Sequence, residues 1–240
     1  MRLIAPLVVA ALGLTACGDD GSDRGAGRRE VATEPAADTM PASDETAGPA
    51  SEVEVLEAAF AQGLGYLSGV AIVTTDDEDA VGQFVTVTMD FLDENGEVVH
   101  AAEQVESFSW PGQELVLPIV GEQVSDPVAG VDVVATLTDH GVEMPPMAPL
   151  PTIDATDVST EVFEDTITAT AVFELTNSTD ADLENPRVGV VCRDSAGTLV
   201  GGSGVYPSTI RAGQAARLEP SLWVSAEPEV CTAYPTYGTF

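Results

Sequence analysis

A chain of 240 residues, 44% of them hydrophobic, can fill one large core or two of about 100 residues each, which excludes disorder throughout. Its 40 Asp and Glu stand against 8 basic residues, every one an arginine, for a formal net charge of −32. A field of that sign repels phosphate backbones and anionic head groups. It argues against nucleic acid or a basic membrane-binding surface and suits cations, basic proteins or salty surroundings.

In chain order, Met1-Arg2 supplies a small positive start and Leu3 to Leu14 an apolar run, which the polar chain from Gly18 ends. This is the pattern of a secretory signal over residues 1–16. The run is too short for a spanning helix, which needs about 20 apolar residues. Leu14-Thr15-Ala16-Cys17 resembles a bacterial lipobox. The resemblance implies that Cys17 becomes the first mature residue and carries a diacylglycerol thioether, so the thiol is an anchor and not a nucleophile. Two acyl chains hold a protein stably at a bilayer where one is marginal. The expected location is extracytoplasmic, on the bacterial cell membrane. The competing reading is an ordinary export signal with an incidental cysteine.

Residues 17–52 follow as a small, polar, Pro-containing acidic segment without aromatics or apolar periodicity, the composition of a disordered tether. As a flexible coil it would hold the folded part on the order of 30 Å from the lipid. Arg24, Arg28 and Arg29 offer basic contacts, but nine acids in the same stretch outweigh them.

Beyond the tether the chain repeats. "DFLDENGEVV" (90–99) aligns with "VCRDSAGTLV" (191–200), placing Gly96 on Gly197, 101 positions later. The same ungapped offset pairs Thr75 with Thr176, Asp79 with Asp180, Val87 with Val188, Gly112 with Gly213, Gln113 with Gln214 and Leu117 with Leu218. An unshifted series whose turn residues coincide indicates two copies of one module.

Each copy reads as strands. Val85, Val87, Met89 and Phe91 alternate with Thr86, Thr88 and Asp90, the period-two pattern of a half-buried strand. "DENG" (93–96) and "DSAG" (194–197) then fit hairpin turns with glycine at positive φ. In copy two, Ile167, Ala169, Ala171, Phe173 and Leu175 form another inward row. Short strands separated by turns predict an all-β fold of two tandem immunoglobulin-like β-sandwiches, at 53–140 and 156–240. "GVEMPPMAPLPT" lies in a Pro-rich, semi-rigid connector over 141–155.

The alternating strand, the Asp/Gly hairpin and the later Pro-Gly or Ala-Gly turn resemble the FxLYD-type domain of prokaryotic secreted proteins and lipoproteins. The residues that carry the resemblance are Val87, Met89, Phe91, Leu92, Asp93, Gly96 and Pro111-Gly112 in copy one. In copy two they are Val188, Val190, Cys192, Asp194, Gly197 and Ala212-Gly213. Copy one reads Phe-Leu-Asp where that family often shows Leu-Tyr-Asp, and copy two departs further with Cys192-Arg193-Asp194. The resemblance implies an immunoglobulin-like sandwich and no catalytic residues.

Setting Cys17 aside leaves Cys192 and Cys231, an even pair in an oxidising compartment. Cys192 aligns with inward Phe91 and Cys231 lies in the closing strand, so the pair reads as a disulfide between strands or as two buried thiols. Asp76, Asp77, Glu78 and Asp79 offer hard oxygen ligands for Ca²⁺, but lack the alternating spacing and glycine of an EF-hand loop and equally fit a solvated acidic turn. His100 and His140 are expected to be isolated residues and not a shared metal site. Trp110 and Trp223 are expected to pack in or beside the sandwiches. Tyr234, Tyr237 and Phe240 are expected to pack on a terminal β-edge, with a small sugar- or protein-binding patch as the other reading.

Residues 53–150 hold 18 acids and no Lys or Arg, whereas 151–240 hold 13 acids and four arginines. No phosphate-binding glycine loop or nucleophile elbow occurs, and no cofactor is expected. These features predict a non-catalytic, lipid-anchored envelope protein that presents two sandwiches to an envelope protein or wall component. The alternative is an accessory solute- or cation-binding lipoprotein serving a transporter or sensor.

Overall fold

The computed structural model describes residues 53–138 and 145–238. The signal and lipobox with Cys17, the tether, His140 and Phe240 lie outside the described residues. Copy one comprises β1 (Glu54–Gly63), β2 (Tyr66–Thr74), β3 (Phe84–Leu92), β4 (Val98–Ser107), β5 (Leu115–Gln123) and β6 (Gly130–Thr138). They form two antiparallel sheets, β1-β2-β5 and β4-β3-β6. Val85, Val87, Met89 and Phe91 are fully buried between these sheets with Leu67, Ala71, Val73 and Leu117, as the alternation predicts.

Copy two repeats the plan with β8 (Asp157–Phe163), β9 (Thr166–Thr176), β10 (Arg187–Arg193), β11 (Leu199–Val205), β12 (Ala215–Leu218), β13 (Ser221–Val224) and β14 (Val230–Thr236). β9 pairs with β8, β12 and β13, and β10 lies between β11 and β14. A short β7 (Ile153–Asp154) precedes them and pairs with β14, so the last residues of the expected connector belong to this sheet. The fold is all-β, two sandwiches of the same strand order.

The hairpin turns behave as their sequences require. The Asp93 carboxylate accepts the N–H groups of Asn95 and Glu97 at 2.8 and 2.9 Å, and the Asp194 carboxylate accepts those of Ala196 and Thr198, both at 2.9 Å. Gly96 and Gly197 take φ of 79° and 81°, a region closed to most side chains. A register slip adjoins each hairpin at the same place, between Phe91 and Leu92 just before the turn in copy one and between Cys192 and Arg193 in copy two.

The ungapped repeat needs correction outside that hairpin. Val73 faces Leu115 and Leu175 faces Ala216, so β2 and β9 are related by one residue more than the hairpins are. The extra residue is obligatory because side chains alternate sides along a strand, and an ungapped match would lay buried Val73 on exposed Glu174. Thr75 therefore corresponds to Asn177 and not to Thr176. The carbonyls of Thr75 and Asn177 both accept the turn glycine's N–H, from Gly112 and Gly213 respectively, at 2.8 Å.

The sandwiches do not meet through the connector alone. A third apolar cluster gathers Ala59, Val70, Ile72 and Val116 of copy one with Val191 and Leu199 of copy two, and Tyr234 packs against it. The β1-β2-β5 sheet thus gives one face to its own core and the other to the neighbouring sandwich. β2 is accordingly apolar along almost its whole length, the pattern of a strand covered on both sides.

Candidate functional site

The junction of the two copies concentrates the chain's unusual side chains. Close approach of the sheets depends on missing side chains: a Cβ on Gly189 would lie 2.4 Å from the Cβ of Val116, and one on Gly202 would lie 2.7 Å from Cγ2 of Val70. Glycine inside a strand weakens it locally, and here it lets a second sheet pack directly on the backbone.

Charge and hydrogen bonds fix the relative position. Arg187 donates to Glu106, a carboxylate only 7% exposed, and Arg193 grips Glu57 through two hydrogen bonds of 2.6 and 2.7 Å. Both pairs join an arginine of copy two to an acid of copy one, so half of the four arginines after residue 150 serve the junction. The Glu57 carboxyl is held below the usual carboxylate range by its hydrogen bond from Arg193. Gln113, fully buried, accepts the Ser109 N–H at 2.7 Å and donates to the Thr236 hydroxyl at 3.0 Å. This satisfies polar groups that would otherwise be orphaned between the copies.

On this framework sits a cleft of about 330 Å³, lined by Trp110, Gly112, Glu114, Leu150, Thr152, Tyr234 and Pro235. Three segments build it: the 108–114 loop of copy one, the connector and β14. Trp110 meets Tyr237 edge to face at 6.3 Å, and Tyr237 donates its hydroxyl to the Ala148 carbonyl at 2.9 Å. The Met147 N–H donates to the Ser109 carbonyl, tying the connector to the same loop. Burial pushes the Tyr234 phenol up, and the neighbouring Glu114 charge adds to this. A second, wider cleft of about 500 Å³ runs beside β1, between Phe60, Gln62 and Val131 of copy one and Asp165, Ile167 and Val224 of copy two.

The other expected site residues are dispersed. Cys192 and Cys231 form a disulfide between directly paired positions of β10 and β14, with Cα atoms 4.1 Å apart. It stands where copy one pairs Phe91 with Val131. Asp76, Asp77, Glu78 and Asp79 lead into a single 3-10 turn (Glu78–Ala80), where the Asp77 carboxylate accepts the Asp79 N–H at 2.9 Å. Among the described residues no three acidic, His or Cys side chains gather as a metal cage requires, and these four acids form none. His100 stacks on Phe91, and its Nε2 lies 3.5 Å from a Glu122 carboxylate oxygen. Trp223 packs edge to face on Tyr66 of copy one, a further contact across the junction. Tyr234 and Tyr237 border the cleft.

Sequence reasoning did not find the junction, although a signal was present. "YLSGVAIV" and "LVLPIV" are continuous apolar runs without alternation, and "LVGGSGV" places glycines inside a strand. No family model and no curated protein matches the chain.

Proposed function

We propose that this chain is a non-catalytic, lipid-anchored protein of the bacterial cell envelope that displays two fused β-sandwiches to an envelope protein. The fused junction carries the reading. Two glycine close approaches, a third apolar cluster and two cross-copy ion pairs are an expensive arrangement for mere tandem beads, and suit a surface built from both copies. The Cys192–Cys231 disulfide supports the oxidising side of the membrane. Anchoring rests on the lipobox resemblance at Cys17 and the tether behind it. The site clefts favour a second reading, an accessory protein that binds a small solute or cation.

Photo-crosslinking on intact cells tests the display, from exposed positions on each sandwich such as Val134 and Tyr206. One dominant captured protein supports it. Capture of wall polymer alone, with a stoichiometric heat signal for a small solute, transfers the proposal to the second reading. Metabolic labelling with an alkyne fatty acid, lost in Cys17→Ser, tests the anchor independently.

A further inference from the structure

We propose that the cleft formed by Trp110, Glu114 and Tyr234 recognises a side-chain cation, the ammonium of lysine or the guanidinium of arginine, on a basic segment of the partner. This deepens the display reading and rests on it.

Four observations converge. First, the cleft is walled by two aromatic rings from separate segments, Trp110 of the 108–114 loop and Tyr234 of β14, and its volume of about 330 Å³ accommodates one long side chain. Aromatic faces attract cations through the ring quadrupole, Trp most strongly. Second, Glu114 is exposed at the rim and has no ion-pair partner among the described residues, unlike Glu57 and Glu106. Arg193, within electrostatic reach of Tyr234 and Glu114, has its charge balanced by Glu57. Glu114 is therefore the charge left in excess.

Third, no basic residue lines the cleft, and the surrounding copy-one surface contains no Lys or Arg in 53–150 against 18 acids. Such a field draws cations towards the cleft and repels anions. Fourth, the cleft is incomplete without both copies and the connector. Its geometry is therefore held by the junction, and preorganisation of that kind lowers the cost of binding. A saccharide also stacks on aromatic rings, but the polar side-chain groups lining this cleft are Glu114, Thr152, the Tyr234 phenol and the single indole N–H of Trp110. That is a sparse set for a polyhydroxylated ring and a sufficient one for a single cation.

The test uses ¹H–¹⁵N NMR of the full chain, whose two tryptophans give two indole signals, assigned with Trp110→Leu. The probes are Nα-acetyl-lysinamide, its neutral Nε-acetylated counterpart and an N-acetylglucosamine trimer. The expected result is a saturable shift of the Trp110 signal with lysinamide, leaving the Trp223 signal in place. The neutral counterpart should bind no more than weakly, and Glu114→Gln should weaken lysinamide about five- to tenfold while the spectrum stays dispersed. An absent or non-saturable shift overturns the proposal. So does an equal response to the neutral counterpart, or binding of the saccharide that Glu114→Gln leaves untouched. Lysinamide binding in a cell that yields no crosslinked basic protein overturns the display reading instead, and assigns the cleft to a free amine.

Discussion

Gly189 shows how much one absent methyl group does. Gly189 sits against Val116 with no room for a Cβ, so Gly189→Val forces β10 away from β5 and opens the third apolar cluster. Overpacking of this kind costs about 1–3 kcal/mol. Denaturant unfolding should show that loss, whereas the same substitution at Gly130, which has open space around its Cβ position, should cost far less. Glu57 supplies a residue-scale prediction with a sign. Its folded carboxyl titrates below its unfolded value, so its contribution is complete above the ordinary carboxylate pKa and is lost as pH falls through the depressed folded value. Glu57→Gln should thus destabilise the chain at pH 7 and flatten stability against pH in the acid range, converging on the parent at the lowest pH. Both partners are partly exposed, so the neutral-pH loss should not exceed about 1 kcal/mol. Two-dimensional carboxyl NMR and urea titrations at several pH values measure both.

Among elements, β10 and β14 illustrate what a sequence can carry. The inward row of β3 and the two Asp/Gly hairpins were legible because a period of two and a positive-φ glycine are local facts. Cys192 and Cys231 were legible as a pair, because parity and compartment narrow the choices, but their pairing across adjacent strands depends on register. The slip between β2 and β9 was not legible. A chance Thr75–Thr176 identity hid it, and only the in–out alternation of buried Val73 and Leu175 exposes it. The junction was not legible for a different reason: the unbroken apolar runs of β2 and β5 report two covered faces, but a run does not say what covers the second face. The cleft was legible only as separate aromatic residues, since its walls come from loops and strands more than 100 residues apart. For the β10–β14 staple, the 39-residue separation of its cysteines predicts about 4 kcal/mol of stabilisation by restriction of the unfolded chain. Cys192→Ala with Cys231→Ala should lower the urea midpoint by a corresponding amount, and reductant should then have no further effect on that variant.

At the scale of the whole molecule, the two sandwiches should unfold together. Separating them exposes Val70, Ile72 and Val116, along with the buried Glu106 and Gln113, so the half-unfolded state is costly. Calorimetry should show one transition for the fused pair, and Gly189→Val should split or broaden it. Salt acts in two opposing ways on this surface. Screening relieves repulsion in a chain of net charge −32 and also weakens the exposed Glu57–Arg193 pair. Repulsion involves many more charges, so the midpoint should rise between low and high salt; a flat or falling midpoint would show that the acidic surface is not self-repulsive in the folded state.

The two-faced β1-β2-β5 sheet also bears on how such a molecule can change over time. A duplicated domain is ordinarily free to be lost or exchanged, because each copy is finished on its own. Here the first copy has turned one whole sheet face into the bed of the second, and the second has emptied Gly189 and Gly202 of side chains to lie on it. Truncation after β6 would leave an apolar sheet facing water, a surface that aggregates. Neither half can stand alone in water without first rebuilding its outer face.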